Sequence, residues 1–193
     1  PYPYLKTRHA DIDGKGIAWQ VYPWFSIMGV SFPEKWHASV VKEMPKNVVS
    51  HTKTGVLNAK GEAYFQDYCH AFAHEVARSF PHLKERYYGV LWEPELHMDP
   101  NDNMEQAIVR YMELAYPVIH EADPKAVVMG VCLADLRPRT LLLAEKLFSE
   151  GLGNYIDVFS IHPYFKRPPE VNGFINHVKE LKKIIRKGSG RDI

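Results

Sequence analysis

A carboxylate stands directly after an apolar and aromatic run, at the point where residues 87–92 lead into Glu93. Such a run is typical of a buried strand, and Pro94 cannot donate a hydrogen bond to a sheet, so regular pairing should end near Glu93. Ligands of parallel α/β proteins bind at the C-terminal ends of the strands, where a carboxyl group can act as acid, base or nucleophile. Glu93 is therefore the candidate catalytic residue.

A second apolar run ends in a similar way, because residues 155–161 lead into His162, Pro163 and Tyr164. If both runs are strands of one parallel sheet, their C-terminal ends lie at the same edge. We therefore expect Glu93, His162 and Tyr164 to project from one end of the sheet, with Trp92 in contact with Glu93. A purely structural role for His162 stays open beside the functional one.

Short apolar runs alternate with longer amphipathic segments along the chain, as in βα units around a parallel sheet. The predicted strands are residues 16–22, 87–92, 126–131 and 155–161. The predicted helices are residues 63–80, residues 104–122, a helix capped by Thr140 and closed by Gly151, and a last helix near residues 172–187. Because right-handed crossovers are almost obligatory, the strands should lie in sequential order with the helices outside.

Four βα units do not close an eight-stranded barrel, which usually takes roughly 250 residues. Residues 1–193 therefore form either an open sheet or a piece of a barrel. The expected fold is α/β, a (β/α)8 barrel of the TIM type represented by about four βα units in one partial-barrel domain of catalytic type. The open edges of the first and last strands should be covered by the missing half of the barrel or by a second chain.

Composition restricts the class of partner. The net charge is +1, with 24 basic and 23 acidic residues, so the composition has no large excess of basic residues and argues against nucleic acid or an anionic membrane as the principal partner. No apolar run approaches the roughly 20 residues of a membrane span. Cys69 and Cys132 lack metal-binding spacing and are expected to be small buried hydrophobes, so no metal or other cofactor is predicted. Localisation stays open.

Residues 87–94 resemble the end of the fourth strand in the clan A glycoside hydrolases, particularly the β-xylosidase and iduronidase family, family 39, where an aromatic apolar run leads into Asn-Glu-Pro. Residues 151–164 are similar to the sixth strand of that family, which ends in His-x-Tyr. Residues 121–124 resemble the approach to its fifth strand, and residues 16–36 resemble its third strand with the loop that follows. The resemblance covers strands three to six of the barrel.

The resemblance implies a retaining glycoside hydrolase that acts on a poly- or oligosaccharide, with Glu93 as the general acid/base. Retaining cleavage also needs an ionised carboxylate roughly 5 to 5.5 Å from the acid, and the family carries this nucleophile on strand seven, so it is expected beyond residue 193. His162 and Tyr164 are implied as contacts of the sugar or supports of the nucleophile. Trp92 and Trp36 are expected to stack on sugar rings. His51 and Glu95 complete the predicted substrate-binding residues.

Several alternatives stay open. Trp92 stands where the family has an asparagine that binds the sugar 2-hydroxyl, and an indole offers only one N–H donor. In a shifted register Glu95 becomes the acid/base residue, and Asp135 or Glu34 can serve as a second carboxylate only in an inverting geometry, at roughly 6.5 to 9.5 Å. Because no nucleophile is identified within the chain, the alternative function is a non-catalytic carbohydrate-binding or assembly protein derived from a half-barrel.

Overall fold

The computed structural model describes residues 20–21, 57, 59–97, 103–164, 168, 171 and 173–193. Within them, four strands form one parallel sheet in sequential order. The strands are β1 (Gln20–Val21), β2 (Arg86–Gly89), β3 (Ala126–Leu133) and β4 (Val158–Ile161). The predicted parallel pairing and strand order are confirmed, and most of the predicted first strand lies outside the described residues.

Helices follow the strands along the described part of the chain. They are α1 (Ala59–Ser79), α2 (Pro94–His97), α3 (Met104–Ala122), α4 (Pro138–Ser149) and α5 (Phe174–Ser189), with a 3-10 turn at Leu152–Asn154. α1 packs against α3, and α4 packs against α5. None of these helices has the length and hydropathy of a membrane span. Continuation of the sheet into a (β/α)8 barrel stays a prediction.

The apolar face predicted for the first helix is buried against the core. Its members are Phe65, Cys69, Phe72, Val76 and Phe80. Because an apolar surrounding disfavours the thiolate, burial raises the pKa of Cys69. Cys132 is also buried, so the prediction that both cysteines behave as small hydrophobes is confirmed.

The pairing of β3 with β4 is irregular near the end of the sheet at which the candidate site lies. β3 and β4 pair at Met129 and Gly130, shift register, and pair again at Leu133. Val131, within the shift, has a φ of 23°, which is rare for a β-branched residue. Gly130 is required here because a Cβ atom would lie 2.1 Å from Ile156 Cγ2. A shift of register changes the direction of the residues that follow, as β-bulges beside active sites do.

The start of α4 differs from the prediction. The sequence predicts Thr140 as the cap, but Thr140 lies inside the helix, Arg137 is the N-cap, and Pro138 occupies the first turn. Proline is favoured there because the first helical N–H has no intrahelical partner to lose. The Thr140 hydroxyl instead donates a hydrogen bond to Asp135. Gly151, with a φ of 95°, follows the helix in the left-handed conformation that glycine adopts without strain.

A buried ion pair joins the N-terminal end of β2 to the loop before β3. The side chains of Arg86 and Asp123 are only 6% and 0% exposed, and the guanidinium donates two hydrogen bonds to the carboxylate. Arg86 also donates to the carbonyl of Phe80 at 3.1 Å, and the Tyr88 hydroxyl donates to Asp123 at 2.7 Å. Both buried charges therefore have hydrogen-bond partners. A buried ion pair without such partners would destabilise the fold.

This pair predicts a loss of stability in acid. Burial alone would raise the pKa of Asp123, but Arg86, Tyr88 and the Lys125 amide hold it below its ordinary value. A depressed native pKa stabilises the fold above the unfolded pKa, about 3.9, and this contribution disappears as the pH falls through the native value. The free energy of unfolding in urea should therefore decrease on acidification below about pH 4. An equal decrease in a double variant with apolar residues at positions 86 and 123 would contradict this assignment.

Candidate active site

Glu93 lies where the pairing between β2 and β3 ends. After β2, Trp92 and Cys132 still form an isolated parallel bridge, and the Glu93 N–H donates to the Cys132 carbonyl at 2.7 Å. Glu93 itself has a φ of 45°, a left-handed conformation that is uncommon for residues other than glycine. Pro94 then begins α2, since proline suits the first turn of a helix. The Glu93 side chain is only 12% exposed, so the carboxyl group lies in a largely buried setting at the predicted end of the sheet.

His162 reaches Glu93 from the end of β4. The backbone N–H of His162 donates to the Leu133 carbonyl at 2.6 Å, which extends the pairing of β3 and β4 by one residue. Its ring Nδ1 lies 2.8 Å from Glu93 Oε1. The prediction that Glu93 and His162 lie at the same end of a parallel sheet is therefore confirmed. Their direct hydrogen bond was not predicted, because the sequence gives the positions of the strand ends and not the directions of the side chains.

Aromatic side chains surround the histidine. The Trp92 ring meets the His162 ring edge to face at a centroid distance of 4.8 Å, and Tyr164 packs on the same ring at 5.6 Å. Tyr164 is 68% exposed, so its ring is accessible from solvent. Trp92 and Tyr164 therefore pack on His162, which bonds to Glu93. The predicted contact between the Trp92 ring and Glu93 stays a prediction. Aromatic faces that border a polar pair are suited to the apolar faces of sugar rings.

Glu95 is directed at the backbone of the neighbouring strand. Its Oε1 accepts a hydrogen bond from the Ala134 N–H at 2.5 Å. Burial is the main cause that raises the pKa of Glu95, and the Ala134 bond opposes it, while the nearby charges of Asp135 and Glu93 reinforce it. A direct contact of Glu95 with substrate stays a prediction.

Asp135, the possible second carboxylate of an inverting geometry, is bound by groups of its own loop. It accepts hydrogen bonds from the Arg137 side chain, from the Arg137 N–H at 2.9 Å and from the Thr140 hydroxyl. Burial alone would raise the pKa of Asp135, but these donors hold it below its ordinary value. This bonding supports a structural role in shaping the turn between β3 and α4.

Three predicted positions, Trp36, His51 and Glu34, lie outside the described residues.

Among the described residues, no group of three or more histidine, cysteine, aspartate or glutamate side chains is arranged to hold a metal ion. No pattern in the sequence indicates Ala134 and Leu133, whose backbone groups bind Glu95 and His162. No residue type marks a backbone contact of this kind, so only the register of the strands reveals it.

A scan of the chain against protein-family models finds no match. A search of curated proteins and a search of solved structures also find nothing similar to it. Proposals about function therefore rest on the residues of the site and on their geometry.

Proposed function

We propose that this chain carries the acid/base part of the active site of a retaining glycoside hydrolase that acts on a poly- or oligosaccharide. The observation that supports it most strongly is the hydrogen bond between Glu93 and His162 at the C-terminal end of a parallel sheet. A largely buried glutamate with one oxygen held by a neighbouring side chain is suited to hold and deliver a proton at a fixed position. The exposed ring of Tyr164 beside the pair provides a surface for a sugar.

The proposed first step is proton transfer from Glu93 to the glycosidic oxygen. With the Nδ1 proton on His162, the ring N–H donates to Glu93 Oε1 in both protonation states of the carboxyl group, so Oε2 carries the transferable proton. As the bond between the anomeric carbon and that oxygen breaks, an ionised carboxylate attacks the anomeric carbon. We propose that this nucleophile lies beyond residue 193. Glu93 then removes a proton from the water that releases the sugar.

The proposed substrate contacts are the residues that surround Glu93 or are expected near it. Trp92 and Tyr164 supply aromatic faces, and Trp36 and His51 are proposed to approach from outside the described residues. Within the described residues, β1 and β4 each pair with one strand only. Unpaired edges invite association, so we propose that the remaining barrel strands or a second chain cover them.

A carbohydrate-binding or assembly protein without catalysis is the second candidate. Two other carboxyl groups influence the site, Glu95 and Asp135, and both accept hydrogen bonds from the protein itself. This arrangement favours binding, because hydrogen bonds from the protein's own donors weaken both groups as nucleophiles. Calorimetric titration with oligosaccharides supports the second candidate if the sugar binds and is recovered uncleaved.

The proposed function predicts retention of configuration. When the full-length polypeptide is incubated with aryl glycosides of both anomers, the first-formed sugar should have the anomeric configuration of its substrate, because two displacements each invert the centre. Proton NMR during the first minutes, before mutarotation, measures this. An inverted first product would contradict the double displacement, and absence of turnover across the panel would contradict the hydrolase assignment.

A further inference from the structure

The peptide group between Leu133 and Ala134 is hydrogen-bonded to two residues of the candidate site, Glu95 and His162. The Leu133 carbonyl accepts a hydrogen bond from the backbone N–H of His162 at 2.6 Å, and the Ala134 N–H donates to Glu95 Oε1 at 2.5 Å. The carbonyl and the N–H of a trans peptide point in opposite directions from one rigid plane. Glu95, after β2, and His162, after β4, are therefore held by opposite sides of the same planar unit.

Glu93, two residues before Glu95, depends on such support. Its left-handed backbone persists only where the surroundings hold it. The Glu93 N–H is bound to the Cys132 carbonyl, and the Glu93 carbonyl accepts the Leu96 N–H at 3.0 Å from α2. The Glu95 side chain fastens α2 to the end of β3, and so it restrains the segment that carries Glu93.

The setting of Glu95 suits a neutral carboxyl group. Oε2 is buried and has no hydrogen-bond partner within the part of the chain that the structure describes. An ion at this position would lose its water without gaining a counter-charge there. The raised pKa of Glu95, caused first by burial and then by the neighbouring carboxylates Asp135 and Glu93, agrees with this.

We propose that Glu95 is a positioning residue that, through the Leu133–Ala134 peptide group, fixes the placement of Glu93 against His162. The role requires a hydrogen-bond acceptor at Oε1 and does not require a negative charge. It rests on the proposed function, and it is an alternative to the substrate contact that the sequence predicts for Glu95.

Two substitutions in the full-length protein test separately whether the role of Glu95 needs a hydrogen-bond acceptor and whether it needs a negative charge. Glu95→Gln keeps a carbonyl oxygen for the Ala134 N–H without charge, and Glu95→Met keeps the length of the side chain but removes that oxygen. We expect Glu95→Gln to retain kcat and Glu95→Met to lower kcat roughly tenfold to a hundredfold with little change in KM. Glu121→Met, at an exposed position in the last turn of α3, is the matched control and should behave as wild type.

A readout independent of turnover separates this inference from the proposed function. In ¹H–¹⁵N NMR spectra, the Ala134 amide and the His162 ring signals should shift in Glu95→Met and stay near their wild-type positions in Glu95→Gln. Unchanged signals in Glu95→Met would overturn the inference even if no substrate is found. Equal losses of kcat in both variants, or a raised KM with unchanged kcat, would also overturn it. If Glu95→Met does not fold, retention of kcat by Glu95→Gln supports the inference and its loss overturns it.

Discussion

Replacing Glu93 by glutamine should reduce cleavage of a glycoside with a poor leaving group about 10²- to 10⁴-fold, the usual contribution of general acid catalysis. Glutamine has nearly the same shape and can still hydrogen-bond with His162, which lies 2.8 Å from Glu93 Oε1, so the fold and the site should persist. What disappears is the proton that the leaving oxygen needs. The measurement is kcat/KM of wild type and variant on an alkyl glycoside of the sugar that the protein cleaves.

Glu121→Gln is the control for this substitution. It makes the same chemical change on an exposed side chain in the last turn of α3, and it should leave kcat/KM unchanged. If Glu93→Gln cleaves the alkyl glycoside as fast as the control does, Glu93 is not the acid. The shifted register, in which Glu95 is the acid, predicts the large loss for Glu95→Gln instead.

The second large effect concerns stability at the opposite end of the sheet. Arg86→Met should lower the free energy of unfolding by about 3–5 kcal/mol, because it leaves the buried Asp123 carboxylate without its counter-ion. The methionine retains much of the apolar stem of arginine, so the loss reports mainly the unpaired charge and the hydrogen bonds to the carbonyls of Phe80 and Leu83. Urea unfolding at neutral pH, with the slope m checked for two-state behaviour, measures it.

A double variant shows whether the charge is the cause. Arg86→Met combined with Asp123→Leu removes both ions, and replacement of a buried pair by apolar residues is often neutral or stabilising. We therefore expect the double variant to be clearly more stable than Arg86→Met. If the two changes add as independent losses, the pair acts through packing and the electrostatic account of this network is wrong.

The regular elements were largely predictable, because each depends on local patterns. The bounds of α3 match the prediction, since the apolar period runs to Ala122 and Pro124 ends any continuation of the helix. The predicted burial of the α1 face follows from the same period. The repeated order of apolar run, polar residue and proline also located the two strand ends that bring Glu93 and His162 together.

Other features depend on partners distant in the chain, and local patterns do not contain them. Arg86 and Asp123 are 37 residues apart, and only the alignment of β2 with β3 makes them neighbours. The sequence wrongly predicts Thr140 as a cap because the hydrogen-bond partner of Thr140, Asp135, is placed by the turn after β3. The Leu133–Ala134 peptide group binds through its backbone, which every residue type has.

The central claim is that Glu93 protonates the leaving group, and the most direct measurement is the dependence of the rate on that group. For a series of aryl glycosides of one sugar, log kcat/KM is plotted against the pKa of the released phenol for wild type and Glu93→Gln. The account predicts that the deficit of the variant is large for poor leaving groups and shrinks toward zero for activated ones, which leave without a proton. An equal deficit across the whole series would contradict it, because Glu93 would then contribute to a step other than protonation of the leaving oxygen.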